Sequence, residues 1–484
     1  MEKSSKKRII LKEIFNSLIL IMLTAVLTGS VWIPSITSSY LQVETDPWRQ
    51  NMPVEVRFNT LPSYAGHSVS FTLLTPSSNL TGPLNSRDPE FFGLSGVQLL
   101  WLNPEQQETD ISLAVAAGAK AINLDFDWRK IEPTPDQFDW EETDRIFYLA
   151  KKYNIRIVPI LMYTPLWASS APYAPLDYFH SPPVNINDYR GFVYAVVNRY
   201  KPHQVNDYGI RDWVIWNEPN INSSLQAPLP GNFWTGSFEQ YIQILQVGYE
   251  GAHAADPGCN VLNGALADIY WEEGKADLLT AVNRLYDPDG DGDTKDGGRP
   301  YFDILNIHLY QTGVPENSWY KERLETIIRI MERFGDENKP IWITETGFGS
   351  AINQDLESYY LSEEEQANSV QMVYDVTATY QQVERVFWWN LRDYYHDESA
   401  TNINMEAHYG LIRANYNPKL AYFAYKQITG NLGQLFTFNT IVDGKGSASI
   451  VIPANEIYST GDYVLFIGSK QFSGVTVRVY TVKP

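Results

Sequence analysis

The feature that most constrains this chain is an alternation. Between residues 91 and 430, short apolar, β-branched runs recur eight times, and stretches with helical periodicity fall between them. The runs are Gly93–Leu100, Ala121–Phe126, Arg156–Met162, Trp213–Trp216, Asn260–Ala265, Phe302–Ile307, Ile341–Thr344 and Val386–Trp389. Their lengths suit strands buried on both faces, as in a parallel sheet. Helices are expected at Glu108–Ala117, Glu141–Tyr153, Asp188–Tyr200, Phe238–Ala255, Glu272–Leu285, Tyr320–Phe334, Glu363–Val383 and Lys419–Ile428. Gly118 offers a left-handed stop after the first. Ser237-x-x-Gln240 and Ser362-x-x-Glu365 are capping boxes at two helix starts. Eight strand–helix units predict an α/β fold, a (β/α)8 barrel over residues 91–430. A doubly wound sheet is the structural alternative, but neither G-x-G-x-x-G nor G-x-x-x-x-G-K-[ST] occurs to give it a nucleotide site.

The chain has 484 residues, so such a barrel leaves both ends over. Lys3, Lys6, Lys7, Arg8 and Lys12 precede an uncharged run from Ile14 to Ile33. As a helix that run could cross a bilayer core of about 30 Å, with its basic flank in the cytoplasm. The alternative is a cleaved signal peptide. No A-x-A site follows the run, but small residues occur at Gly29-Ser30 and Ser38-Ser39. Either way residues 1–34 are a targeting segment, and the rest is expected outside the cytoplasm, anchored in the membrane or secreted. Residues 35–90, rich in Ser, Thr, Pro and Asn, read as a stalk or small β element, with short strands at Val54–Phe58 and Ser68–Leu74. Alternating segments beyond Gly430 predict a small C-terminal β-sandwich-like module over residues 431–484.

Lys+Arg 37 against Asp+Glu 57 gives a net charge of −20, which argues against nucleic acid as a partner. One cysteine, Cys259, excludes an intrachain disulfide framework and a thiolate zinc cluster. Aromatic residues make up 14% of the chain, and many lie near expected strand ends, where a barrel places its site.

Two of those strand ends carry carboxylates. The fourth strand runs Trp213-Val-Ile-Trp-Asn217-Glu218-Pro219, and the seventh Ile341-Trp-Ile-Thr-Glu345-Thr-Gly347. With a side-chain period of two, Val214, Trp216 and Glu218 would share one face, as would Ile341, Ile343 and Glu345. Each face is apolar until its last residue. Helix caps or surface acids at loop starts are the alternative reading of each acid alone.

Asn217-Glu218-Pro219 and Thr344-Glu345-Thr-Gly347 resemble the acid/base and nucleophile motifs of the clan A retaining glycoside hydrolases. Asp125-Phe-Asp-Trp-Arg-Lys-Ile-Glu-Pro133 with Phe138-Asp-Trp140, and Tyr163-Thr-Pro-Leu-Trp-Ala168, are similar to family 39-like and family 5-like members. The resemblance covers roughly residues 91–430 and implies a TIM barrel with Glu345 as nucleophile and Glu218 as acid/base. It also implies that Asn217 bonds the sugar 2-hydroxyl. His308 and Tyr310, at the end of the sixth strand, would line the sugar site, although a strand-end His taken alone is more often a satisfied core residue. One of Trp388 and Trp389 would form the platform under the sugar. Trp167 and Trp128 are stacking candidates, each equally readable as core. Related chains often carry an Arg on the second strand that supports the nucleophile. Asn123 stands there in this chain, with Arg129 as a spatial substitute or a plain surface residue.

Asp287, Asp289, Asp291 and Asp293 resemble the first half of a calcium loop, D-x-D-x-D-G, with Gly298 where a bidentate Glu is expected. A solvated acidic turn is the alternative; bound calcium would be structural. The dispersed histidines suggest no catalytic metal, and no organic cofactor is expected. The reading is a retaining hydrolase of a β-linked oligo- or polysaccharide acting through a covalent glycosyl-enzyme. Its rivals are a transglycosylase on the same residues and a non-catalytic carbohydrate-binding protein on the same barrel. The oligomeric state is left open.

Overall fold

The computed structural model describes residues 87–430 except 98, 175–177, 205–207, 222–232, 269–276, 293–294, 312, 351–360, 395–404 and 417. Outside that range it describes residues 66, 84 and 443–445 and the strand segments given below. Three strands precede the barrel: β1 (Tyr40–Glu44), β2 (Val54–Asn59) and β3 (Ser68–Leu74). The barrel strands are β4 (Phe92–Ser95), β5 (Ala121–Asp127), β6 (Arg156–Met162), β7 (Asp212–Asn217), β8 (Asn260–Ala265), β9 (Leu305–Leu309), β10 (Ile341–Thr346) and β11 (Val383–Trp389). They pair in parallel in the order β8-β7-β6-β5-β4-β11-β10-β9. The ring closes where Leu262 bridges Ile304 and Leu266 bridges Ile307. At that seam the Leu266 carbonyl accepts the His308 N–H at 2.8 Å.

Helices surround the barrel: α1 (Pro104–Ala117), the short α2 (Trp128–Ile131), α3 (Glu141–Tyr153), α4 (Ile186–Tyr200), α5 (Phe238–Ala255), α6 (Leu278–Tyr286), α7 (Asn317–Arg333), α8 (Glu363–Thr377) and α9 (Leu420–Ile428). Both expected capping boxes are present, at Ser237 and Ser362. Where boundaries differ from the sequence reading, local chemistry explains it. α1 starts at Pro104 because Asn103 accepts the Gln106 N–H and proline suits the first helical position. α6 starts at Leu278 under an Asp277 cap. α8 stops at Thr377; beyond it the Arg87 guanidinium donates to the carbonyls of Ala378, at 2.7 Å, and of Val383, at 2.9 Å. β4 is shorter than expected because Gly96 turns the chain with φ +64°.

The two ends of the chain are not separate elements. β12 (Leu435–Ile441), β13 (Ser447–Ile452), β14 (Gly461–Ser469) and β15 (Phe472–Val482) follow the barrel. β13 pairs with β2 in a three-stranded sheet, β1-β2-β13, and β3 lies between β12 and β14 in a four-stranded sheet. The segment expected as a stalk or small β element is therefore a β element that shares both sheets with the C-terminal strands. An isolated two-stranded piece is marginal in water, so adding β13 to the β1–β2 pair and placing β3 between two later strands is the physically favoured arrangement. Among the described residues no helix is long and apolar enough to cross a membrane. The Ile14–Ile33 run lies outside the described residues.

Gly347, just past β10, shows how tightly the top of the barrel is packed. A Cβ there would lie 2.3 Å from the Trp389 carbonyl oxygen and 3.2 Å from the Tyr409 ring. Gly347→Ala must therefore part the ends of β10 and β11, at a cost of about 1–3 kcal/mol. A thermal melt should show a clearly lowered transition; a wild-type transition would contradict this packing.

Candidate active site

The site lies at the C-terminal ends of the strands and begins with two departures from regular pleating. In β7 the Ile215 side chain faces Gly248 of α5. Trp216 also lies on the helix side: it packs edge-on against Tyr189 of α4 and Trp234, and its indole donates to the Phe233 carbonyl at 2.7 Å. Trp216 and Glu218 both have left-handed backbones, φ 72° and 42°. This twist returns Glu218 to the barrel interior. The simple alternation expected for Val214, Trp216 and Glu218 is therefore wrong at Trp216. In β10 a register shift between Ile343 and Glu345 adds one residue relative to β9. Trp342 stands opposite Asn306 and Glu345 opposite His308, so Trp342 rather than Ile343 precedes Glu345 on the inner face.

These two irregular strand ends bring the carboxylates together. One oxygen of Glu218, one of Glu345 and a ring nitrogen of His308 all lie within 4.8 Å of one another. His308 is fully buried, with Nδ1 2.6 Å from Glu218 Oε1 and 3.5 Å from Glu345 Oε2. The Tyr310 hydroxyl donates to Glu345 Oε2 at 2.7 Å, and Ser95 Oγ reaches Glu345 Oε1 at 3.4 Å. Burial pushes the Glu345 carboxyl up to about 7; Glu218 and Asp125 push the same way, against His308 and the Tyr310 hydroxyl. Burial also holds the His308 imidazole below its ordinary value.

Asn123 does stand where the strand-two cation was sought. It is buried; its amide donates to the Val158 carbonyl at 3.0 Å and its Oδ1 lies 3.3 Å from Ser95 Oγ. Arg129 does not replace that cation. Its guanidinium makes a two-point pair with Asp127, at 2.9 and 2.6 Å, and stacks on Phe179 and Tyr163. Asn217 is buried beside Glu218, and its Oδ1 has no partner among the described residues.

The tryptophans separate clearly. Trp389 is partly exposed and meets Tyr310, Tyr394 and Tyr409 edge-on. Trp388 is fully buried and in register with Thr346, whose hydroxyl meets Tyr320 of α7 on the helix side. Of the two, Trp389 is thus the one placed beside the carboxylates, and Trp388 is core. Trp128 is also core: it is fully buried, stacks on Phe192 at 5.2 Å and donates to Glu132 at 2.7 Å. Trp167 is partly exposed and packs edge-on to Trp128.

Sequence reasoning passed over Asp125, although Asn123, Asp125 and Asp127 form a period-two polar stripe on an apolar strand. Asp125 accepts from the Tyr163 hydroxyl at 3.1 Å, and burial raises its carboxyl to about 6. Ser95, Asn306 and Tyr409 carried no local signal, and Thr344 entered only as the motif residue before Glu345. At the opposite end of the barrel, in the loop between α6 and β9, carboxylate oxygens of Asp287, Asp289 and Asp291 gather within 4.8 Å. Asp287 accepts the backbone N–H groups of Gly290 and Gly292, and Asp289 that of Asp291. Asp293 lies outside the described residues.

Barrel, paired carboxylates and aromatic rim define a class, the glycosidases. Residues 200–413 match the family model described as the glycosyl hydrolase catalytic core, a stretch that contains Glu218, His308, Glu345 and Trp389. Over that stretch, less than half of the chain, the sequence is similar to the catalytic cores of glycosyl hydrolases. Among solved structures it shares its fold with GH5_18 from Streptomyces cattleya, at 14% identity and a TM-score of 0.52, covering 71% of this chain and 80% of that one. A monomeric β-xylosidase from Caulobacter crescentus matches at 15% identity and a TM-score of 0.51, over 81% of this chain and 74% of its own. No curated protein matches this chain in sequence.

The tryptophan assignments are separable by experiment. Trp389→Ala should raise KM strongly with little change in melting temperature. Trp128→Ala should lose about 3–5 kcal/mol of stability. Equal stability losses in both variants would mean that Trp389 is core as well.

Proposed function

We propose that the protein is a retaining glycoside hydrolase that cleaves a β-linked oligo- or polysaccharide outside the cytoplasm, carried there by residues 1–34. One observation carries the mechanism: oxygens of the two carboxyl groups lie within 4.8 Å of each other. Retaining enzymes hold these groups about 5–5.5 Å apart, whereas inverting enzymes need about 6.5–9.5 Å to admit a water between them. In this reading Glu345 attacks the anomeric carbon while Glu218 protonates the departing oxygen. Glu218 then takes a proton from water, which displaces Glu345 and leaves the sugar with its original configuration. Tyr310 is placed to steady the attacking carboxylate, and the unpartnered Asn217 oxygen offers an acceptor for a sugar hydroxyl. The β-linkage follows from the clan resemblance.

Proton NMR of the first product formed from a hydrolysed β-glycoside tests this. The β-anomer should appear first and the α-anomer only by later mutarotation. Initial α-product would mean that the two carboxyl groups work with an intervening water, and the retaining assignment would fall.

A further inference from the structure

Two carboxyl groups this close at the heart of a barrel share the problem of one proton, and this chain lacks a cation on strand two to settle it. The hydrogen bonds behind His308 settle it instead. Asn306 and Asn263 face each other across the β8–β9 seam. The Asn306 N–H donates to Asn263 Oδ1 at 2.8 Å, and Asn306 Nδ2 donates to the Asn263 carbonyl at 3.2 Å. A carbonyl can only accept, so this contact orients the Asn306 amide and leaves Oδ1 towards Thr344. Thr344 Oγ1 lies 2.6 Å from Asn306 Oδ1 and must spend its single proton there. The same Oγ1 lies 3.2 Å from His308 Nε2, so it can only accept from the ring. Nε2 therefore carries a proton. In a neutral imidazole Nδ1 is then a bare lone pair, 2.6 Å from Glu218 Oε1. A lone pair and a carboxylate oxygen do not approach so closely without a hydrogen between them, and that hydrogen belongs to Glu218.

We propose that Asn263, Asn306 and Thr344 act as positioning residues that fix the tautomer of His308, which in turn stores the shared proton of the carboxylate pair on Glu218 and leaves Glu345 ionised. The inference rests on the retaining reading above and deepens it. It supplies what the missing strand-two cation would otherwise do: a neutral Glu218 puts no like charge beside the nucleophile. When the glycosidic bond breaks, the proton passes from Glu218 Oε1 to the leaving oxygen. Water returns a proton to Glu218 in the second step, which restores the bond to His308. The other ionisable groups around the pair are Tyr310 just past β9, Asp125 on β5 with Tyr163 and Arg129 beyond it, and Tyr409 from the loop after β11. None of them faces Nε2 in the hydrogen bonds formed there.

The test is Thr344→Val, which keeps the shape and removes the acceptor. His308 can then carry its proton on Nδ1 and donate to Glu218, which favours the carboxylate. The basic limb of kcat/KM, where Glu218 loses its proton, should move down by about one pH unit or more, a tenfold change in that equilibrium. The acidic limb, where Glu345 takes one up, should move up, because an ionised Glu218 now stands beside it. The bell narrows from both sides, and Thr344→Ser should restore it. Independently, nitrogen NMR of the wild-type protein labelled in histidine should show His308 protonated at Nε2 and bare at Nδ1. Unmoved limbs in Thr344→Val, or a His308 protonated at Nδ1 in the wild type, would overturn the proposal. Glu218→Gln and Glu345→Gln tell the two claims apart. If both lose turnover while the Thr344→Val limbs stay put, only the relay is wrong; if either keeps full turnover, the retaining reading is wrong too.

Discussion

Everything in this structure depends on holding two like-charged groups in one small, partly buried volume. At 4.8 Å and an effective dielectric constant near 20, two carboxylates repel by about 3 kcal/mol. The proposed retaining chemistry needs one group charged and its neighbour protonated, which relieves that repulsion. The barrel supplies the proximity, since the ends of its fourth and seventh strands face a common axial space. Local irregularity supplies the aim. The left-handed residues at the end of β7 and the extra residue in β10 turn Glu218 and Glu345 inward where regular pleating would not.

The hydrogen bonds around the pair are unequal, and the inequality supports the proposed roles. Glu345 receives a phenol from Tyr310 and faces Ser95, both able to donate to a carboxylate. Glu218 meets an imidazole nitrogen that a buried relay leaves without a proton. Asn263 and Asn306 do two things at once in this arrangement. They stitch the β8–β9 seam, where the ladder thins to isolated bridges, and they begin the chain of donors that reaches Glu218.

Much of this was legible in the sequence, because the signals concerned were local. β6 and β8, α3 and α5 have the expected boundaries, since apolar periodicity and capping residues act over a few neighbouring positions. Glu218 and Glu345 were visible as acids ending apolar strands. What could not be read depended on contacts distant in sequence. The choice between Trp388 and Trp389 turns on register with Leu94 and Ser95, nearly 300 residues earlier. Trp128 stood in a promising motif but is claimed by Phe192 of α4. The strands expected at Val54–Phe58 and Ser68–Leu74 are present, but that β3 pairs only with β12 and β14, and that β2 joins β13 as well as β1, could not be read locally. The bulge at Thr344 and the twist at Trp216 broke a period-two argument that is sound only for regular strands.

The account's central claim is that Glu345 becomes covalently bound to sugar. The direct measurement uses a 2-deoxy-2-fluoro β-glycoside with an activated leaving group, in the sugar series the enzyme hydrolyses. The fluorine slows both steps, and the good leaving group lets the first outrun the second. Peptide mapping by mass spectrometry should find one fluorosugar per chain, on the peptide containing Glu345, with activity lost in proportion. A label on Glu218 or Asp125, or continued hydrolysis with no label on the protein, would contradict the account.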